Sequence, residues 1–415
     1  MKRMKKILAF GLIGFLLFLR FDATSYASNE ESKVYLVAVG DNLIHSTVYN
    51  KCLSNGEYDF NHIYDNVRDY IKQYDIAVIN QETIFVDDNS KVSTYPAFGT
   101  PEVMGEAVVN SGFNTVLSAT NHTMDKGLYG INNTLKYWKK NYPEVTLLGI
   151  HDSVEDFNSI DIIEKNNIKI AMFNYTYGLN GIVLPKDNYY QVDLLDYKEK
   201  FIEDVQKAED IADITICFCH IGEEYRYTPT TYQVNYINDL IDAGADIIIC
   251  AHPHVVEPME YVTTQNGNKG LVYYSLGNFV SGQTEIDRNL GGLASIEITK
   301  NENGVKVTSF DFIPTVTHRT QLEISVYLLK DYNNSLASKH SVSGMSVEKL
   351  NELWNKITNL DIENKINIEE INNLRNSFTS NIKINKETGL EKRIAEFINR
   401  KYIKDNTFSH TKVTS

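Results

Sequence analysis

The chain has 415 residues and a formal net charge of −14, from 54 Asp and Glu against 40 Lys and Arg. So acidic a surface excludes nucleic acid as a partner. The length exceeds what one compact core usually holds and points to two structural units.

The N-terminus opens with Met1-Lys-Arg-Met-Lys-Lys6 followed by an apolar run, Ile7–Leu19, which is the layout of an export signal. The run is short for a bilayer span. Ser25-Tyr26-Ala27 offers a small-residue cleavage site before Ser28 and no cysteine stands there for lipid attachment, so a cleaved signal and an uncleaved membrane anchor both fit. Either way the expected location is extracytoplasmic: secreted, or anchored to the outer face of the cell membrane. Losing residues 1–27, with five basic side chains and one acidic, would take the net charge to −18.

From Lys33 onward, apolar strand-like runs alternate with polar loops and amphipathic stretches, predicting an α/β layered domain. The predicted strands are Val34–Val39, Ile76–Asn80, Thr115–Ser118, Thr146–Ile150, Lys169–Asn174, Ile214–Cys219 and Asp246–Cys250. Helices are predicted near 61–73, 102–111, 128–140, 197–211 and 231–242, with Gly112 and Gly244 at C-cap positions. After residue 258 the pattern becomes hairpins, Met259–Thr264 with Gly270–Ser275 and Leu293–Thr299 with Val305–Phe312, read as a second sheet. Past His318 the chain is polar and reads as mostly helical, with Val347–Leu360 and Glu391–Tyr402 the best helices. The expected division is 1–27, 28–317 and 318–415. Cys217, Cys219 and Cys250 lie in apolar strand runs and read as small buried hydrophobes, with no disulfide framework.

The chemistry-bearing residues fall just beyond predicted strands, where open α/β sheets place their active sites. Asp41 follows Val37-Ala-Val-Gly40, and Glu82 follows Ala77-Val-Ile-Asn-Gln81; alone, the first is more often a turn and the second more often a solvated loop entrance than a ligand. Asn121-His122-x-x-Asp125 joins a neutral oxygen ligand, an imidazole and a carboxylate able to orient it. His220 ends an apolar strand, a position where a lone histidine is more often structural. His252-Pro253-His254 is the strongest local signal: on an extended segment both imidazoles project to one side, and Pro253 favours extension. Asn278 after Tyr273–Gly277 reads as shaping the pocket.

Asp, Glu, Asn and three His from separate strand ends form a mixed oxygen and nitrogen donor set suited to divalent manganese, iron or zinc, unlike a closed thiolate site. Two such ions, about 3.5–4 Å apart, activate a water and hold the attacking and leaving oxygens. His122 is the natural proton donor or charge stabiliser beside them.

The order of motifs over residues 34–316 resembles the poly-γ-glutamate capsule synthesis family (CapA/PgsA), a branch of the calcineurin-like metallophosphoesterase superfamily. The resemblance rests on Gly40-Asp41, Asn80-x-Glu82, Asn121-His122-x-x-Asp125-x-Gly127, His220-x-Gly222-x-Glu224-Tyr225, Pro229 with Gln233, His252-Pro253-His254-Val255 with Pro258 and Glu260, and Tyr274–Phe279. It implies an α/β two-sheet sandwich flanked by helices, carrying a mostly helical C-terminal appendage. It places Asp41 and His254 on one metal, Asn121, His220 and His252 on the other, and Glu82 between them, with His122 matching the catalytic histidine and Asp125 supporting it. The superfamily's first motif has Asp-x-His, whereas position 43 here is Leu; the nearest imidazole is His45, so His45, Glu224 and Asn278 are further candidates for metal or substrate contact. Thr120, Ile221 and Cys250 stand where the family usually has Asn, Trp and Gly. The implied function is a role in making, exporting or releasing an anionic cell-surface polymer, with hydrolysis of a phosphoester or amide beneath it. The implied partners are that polymer or a phosphoester substrate and membrane synthase subunits. The alternatives are an extracytoplasmic phosphoesterase unrelated to polyglutamate and a non-catalytic scaffold of a membrane synthase.

Overall fold

The structure, a computed structural model, describes residues 31–360. The predicted export segment and the predicted Glu391–Tyr402 helix lie outside the described residues.

Two sheets face each other. The first has eight strands: β1 (Ser32–Asn42), β2 (Ile76–Asn80), β3 (Thr115–Leu117) and β4 (Thr146–Leu148) run parallel side by side. The second has six, in which β6 (Ile168–Thr176), β7 (Ile214–His220) and β8 (Ile247–Ala251) run parallel behind the antiparallel edge strand β5 (Asp161–Lys165). The hairpin β9 (Val256–Thr263) and β10 (Lys269–Leu276) completes this sheet through β10 beside β8.

The predicted second sheet of hairpins is not a separate layer. The first hairpin closes the six-stranded sheet. The second, β12 (Leu290–Asn301) with β13 (Gly304–Arg319), joins the eight-stranded one against β1, and the short β11 (Asn278–Val280) pairs with β1 on its other course. Each hairpin carries apolar residues on the face turned to the opposite sheet, so both extend existing sheets. The chain past residue 318 is not helical throughout: Ile324, Val326 and Leu328 alternate into the core as β14 (Ile324–Leu328), and a short helical turn, Asn334–Ala337, and the predicted helix, here Val347–Thr358, follow. Residues 61–73 form two single turns, Asn61–Tyr64 and Arg68–Ile71, in place of one helix.

Between the sheets lies a dry layer to which Leu36, Ile76, Val78, Ile216, Phe218, Ile249 and Ile296 contribute, all buried. Residues of the opposite parity face outward under helices. Val39, Ala77, Ile79 and Val116 meet α1 (Met104–Asn110) and α2 (Gly127–Asn141). Cys217, Cys219, Ile248 and Cys250 meet α3 (Lys198–Ile211) and α4 (Thr231–Ala243). All four cysteines are free and buried. The strand period of two therefore turns Cys219 to the helices and the adjoining His220 to the interior edge. Helix α4 starts with a capping box between Thr230 and Gln233 and stops at Gly244, whose φ of 127° suits glycine.

One crossing matters for everything below. The chain leaves β10 in one sheet at Leu276 and enters β11 in the other at Asn278, so Gly277 alone bridges the two layers. Gly277 takes φ 63°, and its carbonyl receives the Asp41 N–H at 2.9 Å. A Cβ on Gly40 would meet the Gly277 oxygen at 1.9 Å. Glycine at position 40 is thus what lets the crossing pass over the end of β1. Gly40→Ala is expected to lower stability by about 1–3 kcal/mol through this overlap. Gly178→Ala, where an added Cβ meets nothing within 4 Å, should stay within about 0.5 kcal/mol of the parent. Urea midpoints of the two variants measure the contrast; equal midpoints would refute the close-approach account.

Candidate metal centre

The C-terminal ends of parallel strands from both sheets open on the same edge, and the six expected ligands are brought together there. Asp41 is the penultimate residue of β1, Glu82 and Asn121 stand on the loops after β2 and β3, His220 ends β7, and His252 and His254 follow β8. All six are buried.

At the middle of the group is Glu82. Its Oε1 lies 3.7 Å from His220 Nε2, 3.8 Å from His254 Nε2 and 4.0 Å from His122 Nε2. These separations are too long for hydrogen bonds. Neither carboxylate oxygen has a hydrogen-bond partner, although Glu82 is 1% exposed. Burial raises its pKa well above the usual carboxylate value, and the Asp41 charge adds to the rise against the opposing effect of His254. An unsolvated, unpartnered carboxylate is unfavourable unless a cation meets it. Donor atoms that share an ion at about 2.1 Å each lie about 3–4 Å apart, which is the spacing found here. Donors of Asp41, Glu82 and His254 all fall within 4.8 Å of one another. The residues fit a divalent cation.

The imidazoles are held for that role. His254 Nδ1 faces two acceptors, Asp41 Oδ2 at 3.0 Å and Asn278 Oδ1 at 3.1 Å, which places the proton on Nδ1 and leaves Nε2 toward Glu82. Burial works against its charged form, but Glu82 and Asp41 outweigh that and raise its pKa to about 9. Asp41 Oδ1 accepts from Asn80 Nδ2 at 2.7 Å, and the same amide lies 3.3 Å from His220 Nδ1. His220 Nε2 lies 3.0 Å from Asn121 Oδ1. Burial, followed by the neighbouring imidazoles, holds His220 and His252 well below the usual histidine range, so both are neutral and able to ligate. His252 Nδ1 is buried without a partner, and its ring stands 4.9 Å from that of His220.

The His-Pro-His segment is not extended, contrary to the reading from its spacing. His252 takes φ 103° and His254 φ 59°, a region that a non-glycine side chain enters at a cost of about 1–3 kcal/mol each. The chain kinks instead of running straight, because His254 must reach Asp41 on the far sheet while His252 stays beside His220. The rings still converge, with centroids 5.9 Å apart.

His122 and Asp125 form a dyad: Nδ1 lies 2.7 Å from Asp125 Oδ2, which also accepts the Phe98 N–H at 2.7 Å. This leaves Nε2 pointing at the centre. The edge of Phe98 packs on the imidazole at 4.7 Å. His45 stays outside the Asp41, Glu82 and His254 group. Its ring sits edge-on to Phe98, its Nδ1 is 3.2 Å from both the Leu43 carbonyl and the Gly282 nitrogen, and burial lowers its pKa to about 4. Glu224 is exposed beyond β7, where its charge helps raise the pKa of His254. Asn278 grips His254 twice, through the ring contact and by donating to the His254 carbonyl at 3.1 Å.

Several residues here escaped the sequence reading. Asn180 bridges Asn121, whose Nδ2 donates to it at 3.1 Å, and His122, 3.3 Å away. Tyr177 lies against His252 at 4.6 Å. Both follow β6, so the strand-end rule applied to that strand would have pointed to them.

A buried carboxylate and imidazole set thus stands on the C-terminal edge of a two-sheet α/β sandwich. Residues 35–283 match the family described as "Bacterial capsule synthesis protein PGA_cap", more than half the chain, and the chain belongs to that family. It is 27% identical to the "Capsule biosynthesis protein CapA" of Bacillus anthracis over 263 residues, 61% of each chain. It is 34% identical to the "PGA biosynthesis protein CapA" of Bacillus subtilis (strain 168) over 201 residues, 48% of this chain and 51% of that one. The match thus spans between half and two thirds of these relatives. Among solved structures, the calcineurin-like phosphoesterase YfkN of Bacillus subtilis aligns with TM-score 0.40 and 13% identity, covering 79% of this chain and 97% of that one. A putative 5′-nucleotidase from Staphylococcus aureus aligns with TM-score 0.42 and 15% identity over 77% and 58%.

Burial raises the Glu82 pKa well above its unfolded value of 4.5, so in the metal-free protein this residue costs stability as the pH rises past that value; Glu82→Gln, which does not titrate, should be the more stable at neutral pH by about 1–3 kcal/mol. Added manganese should raise the melting temperature of the parent and leave the variant unmoved. A parent that does not respond to manganese, zinc or iron would refute the metal reading.

Proposed function

We propose that this chain is a metal-dependent hydrolase of the cell surface, acting on a phosphoester or amide bond in the making or release of an anionic capsule polymer. The observation that carries the reading is Glu82: both oxygens buried and unpartnered, with three imidazole nitrogens around one of them at 3.7–4.0 Å. Two divalent ions, manganese, zinc or iron, bound by Asp41, Glu82, Asn121, His220, His252 and His254 would supply an activated water and charge stabilisation. The chain's own residues do the rest. Asp125 fixes the His122 ring with the proton on Nδ1, and His122 Nε2 faces the centre, where protonated it hands a proton to the leaving group. Asn180 keeps Asn121 and His122 in register. Asn278 and Asp41 hold His254. The basic N-terminus with its apolar run supports export, and the family's capsule relatives support the polymer as the setting.

The net charge of −14 favours a second reading, a phosphoesterase acting on small or lipid-linked phosphates outside the cell, because an acidic surface repels a long polyanion everywhere but at the cations. A screen of the manganese-loaded protein on phosphoesters and on γ-linked glutamate oligomers separates the two. In either case His122→Ala should keep its metal and lose about 10²–10⁴ in kcat. If capsule formation in cells survives His122→Ala with metal content intact, the centre serves as a scaffold and the hydrolase reading is wrong.

A further inference from the structure

Beyond residue 283, where the family match ends, the chain returns to the rim of the metal centre and places one cation there. Arg288 lies flat on Tyr225, its guanidinium carbon 3.5 Å from the ring centroid, and the Tyr225 ring stands 6.1 Å from that of His254. A closed set of contacts fixes this pair to the ligand shell. Asn278, which holds His254, also donates to the Arg288 carbonyl and to Gln283 Oε1, each at 2.9 Å, and Gln283 Nε2 donates to the Tyr225 hydroxyl at 3.2 Å. Tyr225 itself takes φ 66°, and its N–H donates to the Pro253 carbonyl at 2.7 Å, between the two ligand histidines. Strain at a ring so placed is the mark of a position held for use.

The guanidinium is only partly occupied. Nη1 meets Glu285 at 2.9 Å in an i,i+3 pair whose carboxylate is exposed and screened by solvent. Nε is buried with no hydrogen-bond partner. Neighbouring cations are engaged elsewhere: Arg319 donates to the Gly282 and Gln283 carbonyls, Lys126 to Ser93, and Arg226 to Glu223 and Thr228. A planar fork with an unsatisfied donor is suited to an oxyanion.

We infer that Arg288, laid on Tyr225, is a specificity residue that takes an anionic substituent of the substrate adjacent to the group undergoing hydrolysis. This rests on the hydrolase reading above for the position of the scissile group. The chemistry recognised is a carboxylate or a phosphate, and the test distinguishes them.

Manganese-loaded full-length protein is given three p-nitrophenyl phosphodiesters that differ only in the second ester group: propyl, carboxypropyl or phosphopropyl. The parent is expected to show a KM about 10- to 100-fold lower for a charged ester than for the propyl ester. Arg288→Gln should abolish that difference with kcat and the propyl KM unchanged, and Arg288→Lys should recover part of it. The anion showing the larger loss names the source. Equal effects on all three esters, or none, would overturn the inference. The same three compounds as non-hydrolysable phosphonates are titrated calorimetrically into the same proteins. If the parent hydrolyses none of the three esters, the phosphoester form of the hydrolase reading fails, while loss of the anion preference in Arg288→Gln binding still supports Arg288. Binding that ignores the flanking anion overturns it.

Discussion

A carboxylate with no partner, sealed between two sheets, is the constraint around which this molecule is arranged. Glu82 reaches its place because β2 ends beside β1, and it stays ionised only if positive charge meets it. Everything near it follows from that need. Two imidazoles are kept neutral by burial, a third is fixed in tautomer by Asp41 and Asn278, and the His122–Asp125 pair points at the same oxygen. The sheets supply the geometry and the loops supply the groups, so the sandwich functions as a frame that brings two strand edges within reach of common ions.

Much of this was legible in the residues. Unbroken apolar runs such as Ile214–Cys219 and Asp246–Cys250 read directly as buried parallel strands, because strands covered on both faces show no polar alternation. The ligand positions were legible for the same reason: a polar residue ending such a run stands at a strand's C-terminal edge. What could not be read was which sheet each late hairpin joins. That depends on Gly277 carrying the chain from one layer to the other, and a glycine between Leu276 and Asn278 looks like any turn. The region past residue 318 was read as helical because its composition is polar, yet three alternating apolar residues there were enough to add β14.

The His252-Pro253-His254 segment is the instructive case. The spacing singled out two residues whose rings do converge, but on a different backbone. Alternation along an extended strand would put both rings on one side, but ligands needed on opposite sheets require a kink, and the positive φ of both histidines records it. Asn180, Tyr177 and Arg288 lacked any local signature, since neutral amides, phenols and a surface arginine acquire meaning only from what they touch. The family relationship covers residues 35–283 and stops short of Arg288.

The candidate ligands come from positions 41, 82, 121, 220, 252 and 254, scattered across the described chain, and this bears on how the molecule assembles and comes apart. Contacts so distant in sequence close late, after both sheets exist. An ion at the centre therefore acts on a nearly finished structure, slowing escape from the native state far more than it hastens arrival. With an ion bound, the centre would act as a kinetic lock on the two layers, and a chelator would shorten the lifetime of the folded protein while leaving its rate of folding almost untouched.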